Sequence, residues 1–128
     1  MSAASRRARS RKTEEIVANR LAGVFPGAER RPASLPGSDI LNTPGFDIEV
    51  KARRDLHLTA WLKQASDRAG DDLPVVVHRP DGYGPERIDQ WPVTMPMWVF
   101  VRLVEHIQGE RAVNTALHIA LERERGRN

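Results

Sequence analysis

Residues 46–51 read Phe46-Asp47-Ile48-Glu49-Val50-Lys51, an apolar residue alternating with a charged one. In a strand the side-chain period is two, so Asp47, Glu49 and Lys51 share one face and the apolar three share the other. Ten residues before Glu49, across the turn Asn42-Thr43-Pro44-Gly45, stands Asp39. A hairpin can bring that carboxylate beside Glu49, although the spacing leaves the register open. Two carboxylates and an ammonium suit one kind of chemistry. The carboxylates can hold a hard divalent cation such as Mg²⁺, which acidifies a bound water and stabilises charge building on a phosphate. The lysine can orient or deprotonate the water, or steady the transition state. The plainer reading of the same pattern is a strand with one solvated face.

Such residues need elements to carry them. Thr13 can cap a first helix whose apolar stripe is Ile16, Val17, Leu21 and Val24, closed by Phe25-Pro26-Gly27. Residues 28–37 read as a loop or ragged edge strand, and Ser38–Leu41 as a short strand. Phe46–Ala52 is the clearest strand. A second helix fits Leu58 to Ala69, stopped by Gly70, and Leu73–His78 is apolar enough to lie centrally in a sheet. Val93–Met95 suits a last short strand. Phe100, Leu103, Val104 and Ile107 mark a buried helix; a final one runs from about Glu110 to Glu124. The second helix makes a parallel crossover. The fold class is therefore α/β, a small mixed sheet flanked by helices, with a C-terminal helical addition.

The run Gly37-Ser38-Asp39-Ile40 followed by Phe46–Lys51 resembles the PD-(D/E)XK nuclease superfamily. Within it, Lys12-Thr13-Glu14-Glu15-Ile16-Val17 behind a basic segment resembles the archaeal-type and phage Holliday junction resolvases. The resemblance covers roughly residues 6–80. It implies a restriction-endonuclease-like αβββαβ core, with Asp39 and Glu49 as ligands of Mg²⁺ (Mn²⁺ as the alternative) and Lys51 as the catalytic lysine. It also implies a first-helix acid. Glu14 fits, standing three, four and seven residues before Val17, Ala18 and Leu21, with Glu15 as the fallback. Related branches carry a glutamine on the following helix, and Gln64 is similar. Two departures stand out: Ser38 replaces the motif proline, and Asp47 is an extra acid able to compete with Asp39.

The implied activity is Mg²⁺-dependent hydrolysis of DNA phosphodiester bonds, resolving four-way junctions by paired nicks. Symmetric nicks imply a homodimer. The alternatives are the same chemistry on flaps, single strands or duplex, a DNA-binding module with an unused site, and a purely structural α/β protein.

Charge distribution bears on the partner. Arg6, Arg7, Arg9, Arg11 and Lys12 give residues 1–12 five cations and no acid. The net charge is +3, so removing that +5 leaves the remainder at −2. Such an arm either tracks phosphates or is a solvated, disordered tail ahead of a single domain over 13–128. Arg53, Arg54 and Lys63 flank the proposed site and are further candidates for phosphate contact. His57, His78, His106 and His118 show no metal-binding spacing, and Trp61 and Trp98 read as core. Absence of cysteine excludes disulfides, thiolate zinc sites and cysteine nucleophiles. The longest apolar run, Met97–Val101, is too short to span a membrane. With no apolar segment behind the N-terminal charges to make a secretory signal, the expectation is a cytoplasmic protein, of the host cytoplasm if phage-encoded.

Overall fold

The computed structural model describes residues 2–127, which form two compact units meeting at Pro96 and Met97. The first is mixed α/β: α1 (Ala3–Leu21), β1 (Glu29–Arg30), β2 (Ile40–Leu41), β3 (Phe46–Lys51), α2 (Leu58–Ala69), β4 (Leu73–His78), a 3₁₀ segment (Pro85–Gln90) and β5 (Val93–Thr94). The second is one helix, α3 (Met97–Arg127). No helix among the described residues is long and apolar enough to cross a membrane.

Helix α1 starts ten residues before the expected cap at Thr13, so the basic segment is helix and not a disordered arm. Ser2 caps it by accepting the Ser5 N–H at 3.1 Å, and residues 3–12 are Ala, Arg, Ser and Lys with neither Gly nor Pro. No apolar stripe marks those residues, which is why periodicity missed them. Thr13 is instead fully buried within α1 and accepts a hydrogen bond from Arg79 Nη1 at 3.1 Å. Of the expected stripe, Val17 is buried while Val24 lies out in solvent, past the end of the helix.

Strands β3 and β4 run parallel, pairing Phe46 with Leu73 through to Lys51 with His78, and β5 adds antiparallel to β4. Strand β4 is thus central, as its Val75-Val76-Val77 run requires. Partners in register point to one face, so Asp47, Glu49 and Lys51 align with Pro74, Val76 and His78. Helix α2 covers that face: Trp61 and Ala65 pack with Val76, and the Trp61 and His78 rings lie 5.8 Å apart. Gly70 ends α2 at φ +60°, where a side chain would be strained. Strands β1 and β2 form a separate antiparallel pair.

Helix α3 differs from expectation in two ways. It is continuous where two helices were expected, because Gly109 alone costs only about 1 kcal/mol against Ala and no proline intervenes. Its first stripe is also not buried: Phe100, Val104 and Ile107 are exposed, and so is Trp98. At ~100° per residue, the stripe through Phe100 and Ile107 and that through Val113 and Leu121 point roughly 120° apart. That offset reads as two helices in sequence.

Candidate active site

Asp39 is stitched to β3 twice. Its main-chain N–H donates to the Ile48 carbonyl at 3.0 Å, and its Oδ2 accepts the Val50 N–H at 2.8 Å. Ser38 fixes the same register: its Oγ accepts the Ile48 N–H at 2.9 Å, and its hydroxyl lies 2.9 Å from the Ile40 carbonyl and 3.1 Å from that of Ile48. A proline here could make none of these side-chain bonds, so the departure from the motif has a structural task. Together these contacts resolve the register that sequence left open, putting Asp39 alongside Glu49.

Glu49 is 5% exposed and sits between two cations. Lys51 Nζ is 3.0 Å from its Oε1, and Arg68 Nη1 is 2.9 Å from its Oε2. The Arg68 contact lies off the N–H axis, so Oε2 is neutralised yet receives no hydrogen bond. Arg68 is held chiefly by Asp47, donating from Nε to Oδ2 at 2.9 Å and from Nη2 to Oδ1. That fork, together with Glu49, pushes the guanidinium pKa up against the opposing effect of burial. Asp47 is therefore occupied by Arg68 and is not among the residues lining the cleft below, which removes it as a competitor to Asp39.

Glu14, Asp39, Glu49 and Lys51 line one open cleft of about 630 Å³, joined by Arg6 and Arg9 of α1 and by Arg53 and Arg54 after β3. Burial raises the Glu14 pKa to about 7, with Asp39 and Glu49 adding to the rise and Arg30 and Arg31 opposing it. Burial followed by Glu49 also raises Asp39, while the Val50 N–H, Arg68 and Arg31 pull it down. A cation bound among these crowded acids would relieve the repulsion that tightens their protons.

Among the described residues no three His, Cys, Asp or Glu side chains are grouped as a ready metal site. Two carboxylates nonetheless suit Mg²⁺, which keeps several waters. Glu49 Oε2 faces Arg68 Nη1 without a well-aligned hydrogen bond, and among the described residues the cation nearest Asp39 Oδ1 is Arg31, whose Nη2 at 3.6 Å is beyond hydrogen-bond reach. Each acid thus keeps an oxygen for a hard cation, provided Arg68 gives way at Oε2.

Other expected residues fall elsewhere. Gln64 is exposed on α2 and outside the cleft; the residue α2 sends to Glu49 is Arg68, one turn on. Lys63 is exposed, paired with Asp67 at 2.6 Å, and also outside. Arg7 and Arg11 line a neighbouring cavity, Lys12 lines neither, and Glu15 lies 3.7 Å from Arg30. Arg54 pairs with Asp81 at the exposed rim. His78 is buried with Nε2 3.0 Å from the Arg53 carbonyl, tying β4 to the loop after β3. Arg68 was findable, since an arginine on the Trp61–Ala65 face of α2 requires a buried acid opposite.

No protein-family model, curated protein or solved structure matches this chain.

Proposed function

We propose that this chain is a Mg²⁺-dependent DNA endonuclease of PD-(D/E)XK chemistry, acting on four-way junctions as a homodimer. The observation that carries the reading is the single cleft shared by Glu14, Asp39, Glu49 and Lys51 and edged by Arg6, Arg9, Arg53 and Arg54. Asp39 and Glu49 would hold the metal, which supplies an acidified water and a counter-charge to the scissile phosphate. Lys51 would then leave Oε1 of Glu49 to orient that water or steady the transition state. Glu14, on the same cleft wall, would take up the water's proton. The arginines would meet the backbone phosphates on either side.

A second reading is favoured by one observation: Lys51 and Arg68 already neutralise Glu49. On that reading the chain binds DNA and the ion pairs are structural. Labelled four-way junction, flap, single strand and duplex, incubated side by side with Mg²⁺ and with EDTA, separate the two. Junction cut only with Mg²⁺ supports the endonuclease; binding without cleavage of any substrate leaves the binding module.

A further inference from the structure

Beside the carboxylate cleft lies a second cavity, about 430 Å³, with an unusual lining. Arg6, Arg7 and Arg11 come from α1, Arg30 from β1, and Arg31 from just after it; Glu14 is the one acid on the wall. The α1 contributors, from Ala3 through Glu14, recur at three- and four-residue intervals and so form one face of the helix. Arg7, Arg11, Arg30 and Arg31 thus crowd one wall, and the long contacts of Arg30 with Glu15 and of Arg31 with Asp39, at 3.7 and 3.6 Å, balance that charge only in part, so an anion would complete the set. Arg30 and Arg31 have side chains only 27% and 21% exposed, and the buried Nε of each donates no hydrogen bond. Glu15 stands 3.7 Å from Arg30 Nε, too far to accept one. The far end of Arg31 is anchored, donating from Nη1 to the Pro32 carbonyl at 3.2 Å and to that of Leu35. A basic pocket suits an oxyanion, and the planar arginine fork matches phosphate.

Arg6, Ser10 and Glu14 line both cavities, so the arginine pocket continues the cleft along α1. We propose that this pocket holds a backbone phosphodiester of the same nucleic-acid strand whose neighbouring phosphate lies in the carboxylate cleft, with Arg30 and Arg7 as its principal contacts. The proposal rests on the DNA-binding part of the reading above. It adds a site and a path: the strand runs along the N-terminal half of α1. Arg31, anchored by the Pro32 and Leu35 carbonyls, enters as a positioning residue for the strand.

The test is binding in EDTA, where metal-dependent hydrolysis is switched off. Affinity for a short oligonucleotide and for a four-way junction is measured across salt concentrations. The chains compared are the wild type, Arg7→Gln/Arg30→Gln, Arg7→Lys/Arg30→Lys, and the α3 control Arg111→Gln/Arg123→Gln, which removes equal charge. Losing the contacts to that one phosphate should flatten the slope of log K against log salt by roughly 0.7 to 0.9, the lysine variant should restore most of it, and the control should keep the wild-type slope. A pocket variant whose slope equals that of the wild type, or falls no more than the control's, overturns the proposal, and the lysine variant keeps the comparison open should the glutamine one misfold. A 5′-phosphorylated and a 5′-hydroxyl oligonucleotide form the remaining arms. Equal slope loss on both supports an internal phosphate, whereas loss confined to the phosphorylated one assigns a strand end and overturns the internal assignment. Cleavage in Mg²⁺ with unchanged slopes would fail the pocket alone; flattened slopes without cleavage would fail only the nuclease chemistry.

Discussion

Asp39, Asp47 and Glu49 are 8%, 6% and 5% exposed, whereas Phe100, Ile107, Leu117 and Leu121 on α3 are between 50% and 57% exposed. The first unit therefore hides charge, and the second shows water its apolar side chains. Buried charge is tolerable only when paired. Asp47 has Arg68, Glu49 has Lys51 and Arg68, and Asp39 has the Val50 N–H. The buried acids are thus partnered within one chain, except that one Glu49 oxygen accepts no hydrogen bond. Helix α3 has no such closure. Ten large apolar side chains from Met97 to Leu121 are exposed, spread over two stripes that point roughly 120° apart. Charge inside marks the candidate site; the apolar surface of α3 is where the proposed dimer would form.

Breaking the first half of that contrast should have the largest effect on stability. Arg68→Met leaves Asp47 buried without its cation, and removing one partner of a buried pair costs about 3 to 5 kcal/mol. Urea denaturation should show that loss, and Asp47→Asn in the same chain should recover part of it. A change under ~1 kcal/mol would mean that the Arg68 fork is not holding the cluster together.

The second half is tested by charge placed on α3. Ile107→Asp/Leu117→Asp should shift sedimentation from dimer to monomer, weakening association by at least about 100-fold, while melting of the α/β unit moves by less than ~0.5 kcal/mol. A wild type that is monomeric at all concentrations would remove the dimer assignment.

The smallest effect belongs to Glu14. Its folded pKa near 7 lies above the ordinary 4.5, so between those values the folded chain binds more protons than the unfolded one. Stability from this group is complete below about pH 4.5 and is lost as pH rises through about 7. Glu14→Gln should therefore stabilise the metal-free chain near pH 8, by about 1 kcal/mol after allowing for its partial exposure to solvent, and change little near pH 4. Equal stability of both chains at the two pH values would put the Glu14 carboxyl in ordinary water.

What could be read from sequence follows the physics of each element. Alternation displayed β3 because its two faces differ in chemistry, although both are buried, and a 3.6-residue stripe ending in Gly70 displayed α2, because burial there is one-sided. The pairing of Asp39 with β3 was legible only as a hairpin; its register depends on the Ser38 hydroxyl, which composition cannot rank. The N-terminal half of α1 left no periodic trace since its helicity comes from propensity and a cap. Arg68 was masked by the habit of reading helix arginines as solvated, and the Arg30–Arg31 pocket joins residues that no spacing rule connects. On α3 the periodicity was real, but apolar periodicity says which face wants cover, not whether the chain itself supplies it.

The central claim is that the Asp39–Glu49 pair turns a DNA-binding cleft into a nuclease. It is tested most directly by incubating one labelled four-way junction with wild type and with Glu49→Gln in Mg²⁺, reading cleavage on a gel and binding in EDTA. The account predicts that the wild type cuts, that Glu49→Gln loses at least about 100-fold in rate, and that binding is retained, since the phosphate contacts lie elsewhere on the cleft wall. Cleavage by Glu49→Gln at the wild-type rate would contradict it.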